Sequence, residues 1–181
     1  MTLEYTIDEN DFLTYHLYTT AKSESIRKRR VRNKMFLPLV YLALGLFSLY
    51  QHKMGLGIIF IVIGILWYFI YPLWEKQRYI KHFKANINEN YKNRIGRPAT
   101  IRIENEYILA KDEGAESKVL TTEIEEINEI SSAVFIKLKT AQSFIFPKNK
   151  IKNMDSLIVR LKELATSLNV NYNIEDKWQW K

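Results

Sequence analysis

Two apolar runs, separated by five residues, constrain this chain more than anything else in it. Met35–Tyr50 reads MFLPLVYLALGLFSLY and Leu56–Trp74 reads LGIIFIVIGILWYFIYPLW, and neither contains a charged side chain. A bilayer core about 30 Å thick is crossed by roughly 17–25 apolar residues in a helix. Leu56–Trp74 meets that length alone. Met35–Tyr50 reaches it with Gln51 and with Lys34, whose aliphatic stem can lie along apolar surface while its ammonium stays in water. The connection Gln51–Gly55 is so short that the two segments are predicted to fold back as an antiparallel hairpin. The alternative, a buried helical hairpin of a soluble protein, suits shorter runs better.

The chain is 47% apolar overall, no more than an ordinary soluble domain at about 45–50%. Apolarity is therefore concentrated in the hairpin, and the remainder reads as a soluble part. There is no cysteine, which excludes disulfides, thiolate metal sites and thiol chemistry. The net charge of +7 is uneven: residues 1–84 carry +6 and residues 85–181 carry +1. Arg27, Lys28, Arg29, Arg30, Arg32 and Lys34 precede the first run; Lys76, Arg78, Lys81 and Lys84 follow the second; Lys53 is the one charge in the turn. Basic flanks at both outer ends predict both termini in the cytoplasm and the turn outside. These ten residues, with Trp74, form the predicted membrane interface, its partner an anionic headgroup layer. Beside a span, such a basic run reads as a topology determinant rather than a nucleic-acid patch. Trp67, Tyr68, Tyr71 and Trp74 make an aromatic belt.

Helices in lipid associate through close approach at small residues. Tyr41, Gly45 and Ser48 share one side of the first helix, and Gly57, Ile61 and Gly64 one side of the second. Folding at the turn predicts the pairs Ser48–Gly57, Gly45–Ile61 and Tyr41–Gly64.

Around the hairpin the periodicity changes. Leu3–Ile7 alternates as a strand, and Asp8 with Asp11 can cap a following helix. Glu75–Tyr91 stays helical, with Ile80, Phe83, Ile87 and Tyr91 on one face, until Gly96 and Pro98. From Ala99 the period is two. Strands are predicted near 101–103, 107–110, 118–121, 124–130, 133–139 and 143–146, with a polar turn over Asp112–Ser117. Met154–Leu168 is an amphipathic helix with Leu157, Ile158, Leu161, Leu164, Ala165 and Leu168 on its stripe. The fold class is α+β: a two-helix transmembrane hairpin plus a cytoplasmic antiparallel sheet closed by a C-terminal helix. The predicted divisions are 1–34 (strand, helix and basic run), 35–74 (hairpin), 75–98 (juxtamembrane helix), 99–168 (sheet and closing helix) and 169–181 (tail). A lone strand at 3–7 leaves its ladder unpaired, so it is expected to add to an edge of the C-terminal sheet.

This layout, from Glu4-Tyr5-Thr6 through the basic run and hairpin to the stretch Ile124–Leu164 with Phe144–Lys148 (FIFPK), resembles the YcxB-like family of small bacterial membrane proteins. The resemblance implies a pleckstrin-homology-like domain, a bent antiparallel sheet closed by a C-terminal helix. It carries no biochemical activity. One position departs: Thr121 stands where relatives often place a tryptophan. The turn Glu104-Asn105-Glu106 is acidic, which does not favour inositol-phosphate recognition.

No catalytic, cofactor or metal residues are predicted. His16, His52 and His82 lack metal-ligand spacing. Glu123, Glu125, Glu126 and Glu129 lack a glycine-rich coordinating loop and read as a solvated face. Ser131-Ser132 reads as a turn. Lys148, Lys150 and Lys152 read as a solvated basic cluster. The expected function is a non-enzymatic module of the bacterial inner membrane, its cytoplasmic domain docking a protein or the membrane surface. The alternative is a self-protection protein of the bacteriocin-immunity type, in which the hairpin is the working part. An unidentified protein partner and homo-oligomer formation fit either; nucleic acid and cofactors fit neither.

Overall fold

The computed structural model describes residues 1–112 and 114–180; Glu113, inside the predicted Asp112–Ser117 turn, and Lys181, at the end of the tail, lie outside the described residues. Among the described residues there are eight strands: β1 (Thr2–Thr6), β2 (Pro98–Ile103), β3 (Tyr107–Lys111), β4 (Glu116–Leu120), β5 (Ile124–Ile130), β6 (Ala133–Leu138), β7 (Ser143–Pro147) and β8 (Asn171–Glu175). The helices are α1 (Glu9–Lys22), α2 (Glu24–Tyr50), α3 (Met54–Asn90) and α4 (Met154–Leu168). The chain divides into two compact units, Met1–Tyr15 with Lys84–Gln179 and His16–Phe83 with Trp180. This division differs from the five linear segments expected from composition.

The first unit holds two four-stranded sheets, ordered β1-β2-β3-β4 and β7-β6-β5-β8. As the lone-strand argument requires, β1 pairs antiparallel with β2, Leu3 opposite Ile101 and Tyr5 opposite Ala99. Both ends of this pairing are tied. The N-terminal ammonium donates to the Ile103 carbonyl at 3.0 Å, and the Gly96 N–H donates to the Ile7 carbonyl at 2.9 Å. Gly96 has φ +76°, a conformation glycine adopts without steric cost.

The main core joins Ile103 and Ile108, Ile127, Ile136 and Phe146, and the stripe Leu157, Leu161, Leu164 and Ala165 of α4. Strand β6 is buried on both faces, so Ala133–Ile136 is a continuous apolar run rather than an alternation. Its second face carries Phe135, whose ring lies 5.5 Å from that of Tyr15. The Tyr15 hydroxyl donates to Ser143 Oγ at 3.0 Å, and the buried Tyr5 hydroxyl donates to the Ile145 carbonyl at 2.8 Å. Burial, with Asp11 nearby, pushes the Tyr5 hydroxyl pKa well up.

The first turn of α1 carries a reciprocal cap. Asp8 N–H donates to Asp11 Oδ2 at 2.9 Å and Asp11 N–H to Asp8 Oδ1 at 3.0 Å. Lys150 Nζ donates to both carboxylates at 2.5 Å. It thereby balances two acids at a helix N-terminus. Thr121, at the departed position, is buried, and its hydroxyl donates to the Asn105 carbonyl at 2.8 Å. That hydrogen bond ties Thr121 to the β2–β3 turn.

Three expectations are corrected. The tail contains β8, which pairs parallel with β5, so the second sheet is mixed rather than purely antiparallel. Asn169 ends α4 in the left-handed conformation, φ 54°, the role usually taken by glycine, and the Val170 N–H bonds back to the Ala165 carbonyl at 3.0 Å. The juxtamembrane segment is no separate helix: α3 runs unbroken through Pro72 to Asn90. Likewise the basic run belongs to α2, which begins at Glu24 and passes through Pro38. At about 1.5 Å per residue, α2 is about 40 Å and α3 about 55 Å long.

Candidate membrane interface

In the second unit, α2 and α3 meet along a seam of glycines. A Cβ on Gly45 would lie 2.7 Å from Ile61 Cγ1 and 3.0 Å from the Gly57 carbonyl oxygen. One on Gly64 would lie 3.2 Å from Tyr41 Cβ. Gly45 therefore faces Ile61, and Gly64 faces Tyr41. The pair Ser48–Gly57 is corrected: a Cβ on Gly57 would meet Leu49, at 2.6 Å. The Ser48 hydroxyl instead donates to the Leu44 carbonyl of its own helix at 2.9 Å, which satisfies it locally where apolar neighbours offer nothing. The opposite faces, with Leu46, Phe47, Ile58, Phe69 and Leu73, are exposed. Only 6% of the most apolar window of α2 and 17% of that of α3 is buried. Both helices are long and apolar enough to cross a membrane.

At the ends of the apolar runs, cations lie on aromatic faces. Lys34 Nζ sits 3.9 Å from the Tyr68 ring centre, and Arg78 Cζ sits 5.2 Å from that of Trp74. The rings of Trp67, Tyr71 and Trp74 are 5.9–6.4 Å apart. One turn beyond lies a contact that spacing did not reveal. Arg30 Nε donates to Glu75 Oε2 at 2.8 Å, and the Tyr71 hydroxyl donates to Glu75 Oε1 at 3.0 Å. The side chains of Arg30 and Glu75 are 17% and 8% exposed. Both carboxylate oxygens thus have a donor, the condition for keeping a charge away from water. Arg30 is thus paired and largely enclosed, unlike its exposed neighbours Arg29 and Arg32. The Trp180 ring centre lies 4.3 Å from the Arg30 guanidinium carbon and 5.2 Å from the Tyr79 ring.

The other predicted interface cations divide by partner. Lys28 pairs with Glu24 at 2.9 Å within α2, and Lys84 with Glu9 at 3.7 Å. Arg27, Arg29, Arg32, Lys34, Lys76, Arg78 and Lys81 have no carboxylate partner among the described residues. All but Lys34 are exposed.

The remaining clusters are internal bonding. Lys137 Nζ reaches Glu125 at 2.8 Å and Glu126 at 3.5 Å. Glu129 is buried; it accepts from Lys148 Nζ at 2.7 Å and from the Tyr172 hydroxyl at 2.6 Å. Burial alone would raise the Glu129 pKa, but these two donors hold it below the usual range, while burial and Glu129 push the Tyr172 hydroxyl up. Two of the three lysines in the predicted solvated cluster, Lys148 and Lys150, are therefore bound to carboxylates. His16 stacks on Phe83 at 5.3 Å, and burial lowers its pKa. No group of three or more His, Cys, Asp or Glu suited to a metal ion occurs among the described residues. Comparison with protein-family models and with characterised protein sequences returned no match.

Proposed function

We propose that this chain is a membrane-anchored, non-enzymatic interaction module of the bacterial inner membrane. In this reading α2 and α3 cross the bilayer as a hairpin, both termini are cytoplasmic, and the β-sheet unit docks a protein or the membrane surface. The observation that carries it is the exposed apolar surface of two long helices, 6% and 17% buried over their most apolar windows. Contiguous exposed apolar surface of that extent marks a membrane or partner site. The orientation is supported by the ten cations at the outer ends, seven of them without a carboxylate partner among the described residues, against Lys53 alone in the turn.

The strand order supports a pleckstrin-homology-like domain of the YcxB-like kind. A four-strand meander β1–β4 is followed by a three-strand meander β5–β7 and a closing helix. On that reading the hairpin is an insertion between the first and second strands, and β8 is an addition. Engagement of Glu125, Glu126 and Glu129 by lysines and Tyr172 supports a structural rather than catalytic role for that cluster.

The test is thiol labelling of single-cysteine variants in intact cells. Cysteines at Gln51 or His52 react with an impermeant reagent; cysteines at Ser25 or Ser117 react only after the membrane is opened. Labelling of the second pair alone reverses the orientation, and unequal labelling of Ser25 and Ser117 breaks the hairpin.

A further inference from the structure

The ion pairs sort the basic residues that flank the apolar runs into paired cations and cations without a carboxylate partner among the described residues. Among the ten cations that flank the apolar runs, Arg30 is paired with the buried Glu75, and Lys28 with Glu24 and Lys84 with Glu9 at exposed sites. The seven left over are confined to residues 27–34 of α2 and 76–81 of α3. Arg27 lies eight residues before Met35 and Lys81 seven after Trp74, so at about 1.5 Å per residue the charges reach roughly 12 Å and 10 Å beyond the apolar runs. A headgroup layer is about 5–8 Å deep on each side of the hydrocarbon; the inner charges fall within it, and the long side chains of the outer ones can reach back to it.

Position around the helices separates the seven further. Arg32 lies about 200° of helix rotation from Arg30, so it turns away from the side that holds Glu75. Trp74, Arg78 and Lys81 share one flank of α3 at helical spacing, with the Arg78 guanidinium already laid over the indole. Lys76 lies on the other flank. Lys34 is held over Tyr68. The charges thus lie on more than one side of each helix and are spread over several turns, and a single acidic ligand cannot reach all of them. A layer of many separate phosphates can.

We infer that Arg27, Arg29, Arg32, Lys34, Lys76, Arg78 and Lys81 form an annular site selective for anionic phospholipids over zwitterionic ones. This rests on the membrane reading above and names the lipid class that the hairpin gathers. Arg30 takes no part in it. Each cation near an anionic surface is worth about fivefold in association, so even partial engagement of the ring gives a measurable preference.

The experiment reconstitutes the full chain in phosphatidylcholine vesicles containing spin-labelled phosphatidylglycerol or spin-labelled phosphatidylcholine. Electron paramagnetic resonance then reads the motionally restricted fraction of each. The expected result is at least a threefold preference for phosphatidylglycerol at low salt, falling toward unity in 1 M salt. In the R27Q/R29Q/R32Q variant the preference drops by at least half, with the thermal melt unchanged. In R30Q the preference stays while the melt falls. A ratio near unity at low salt, or a ratio indifferent to salt, overturns the annular site. If no restricted component appears for either lipid, the helices are not in the bilayer, and the membrane reading itself fails.

Discussion

The two units solve burial in opposite ways. In the β-sheet unit large apolar side chains are interior: Phe135, Ile136, Phe146, Leu157 and Leu161 are almost wholly enclosed, and Glu129, buried at the core's edge, has donors on both oxygens. In the helical unit the large apolar residues are outside and the smallest are inside: Gly45, Gly57 and Gly64 are buried while Phe47, Ile58 and Phe69 are exposed. The first pattern is what water imposes. The second is the pattern expected of the proposed membrane hairpin, since in an apolar solvent helix association must come from close backbone contact. Buried carboxylates are handled alike in both: Glu75, at the helical seam, also has a donor on each oxygen, Arg30 Nε and the Tyr71 hydroxyl.

The contrast can be broken most forcefully in the core. Phe146→Ala should destabilise the β-sheet unit by about 3–5 kcal/mol. Phe69→Ala, the same truncation on an exposed helical face, should change stability by no more than about 0.5 kcal/mol. Thermal melts of the full chain in mild detergent distinguish them; equal losses would mean that Phe69 is packed against protein. Next is the polar seam. Glu75→Gln removes the carboxylate charge that Arg30 Nε and the Tyr71 hydroxyl meet and should cost about 3–5 kcal/mol, whereas Arg30→Met with Glu75→Leu should recover most of it. A double variant no better than the single would show that the pair is net stabilising. Smaller again is the glycine seam. Gly45→Leu forces the helices apart at Ile61 and the Gly57 carbonyl and should cost roughly 1–3 kcal/mol, as overpacking does; Gly55→Leu, with open space around it, should cost nothing measurable in the same melts.

The smallest effect is one of pH and belongs to the β-sheet unit. The Lys150 hydrogen bond, aided by the backbone donors of Asp11 and Asn10, lowers the Asp8 pKa. A carboxylate depressed in the folded state stabilises above its unfolded pKa, about 3.9, and that contribution is lost as pH falls through the folded value. Glu129 acts in the same direction. Melting temperature should therefore fall with acidification below about pH 4, and Asp8→Asn should flatten part of that fall. An acid limb unchanged in the variant would remove Asp8 from the account.

What was legible in the sequence was whatever repeats at a fixed spacing. The two apolar runs, the seven strands through Phe146, and α4 with its stripe all follow from period and length. So does the edge pairing of β1, because a strand without a ladder must find one. What escaped depends on partners distant in sequence. Asn171–Glu175 (NYNIE) has too few apolar positions to mark a strand, and the ladder that holds it is β5, more than forty residues earlier. Arg30 looked like one more member of a basic run, since its partner Glu75 is forty-five residues away. Lys148 and Lys150 looked solvated for the same reason, their carboxylates lying on β5 and α1. The Ser48–Gly57 pairing failed for a local reason: serine can satisfy its own hydroxyl within a helix, which frees Leu49 to fill the space beside Gly57.

The central claim is that one chain lives in two solvents, and it is tested most directly by collision accessibility of spin labels on the full chain in liposomes. Labels at Leu46, Ile58 and Phe69 should collide more with oxygen, which concentrates in hydrocarbon, than with a water-soluble nickel chelate. Labels at Ser117 and Lys152 should show the reverse. Nickel access at Leu46, Ile58 and Phe69 equal to that at Ser117 would contradict the account, because those apolar faces would then be in water or at a protein interface rather than in lipid.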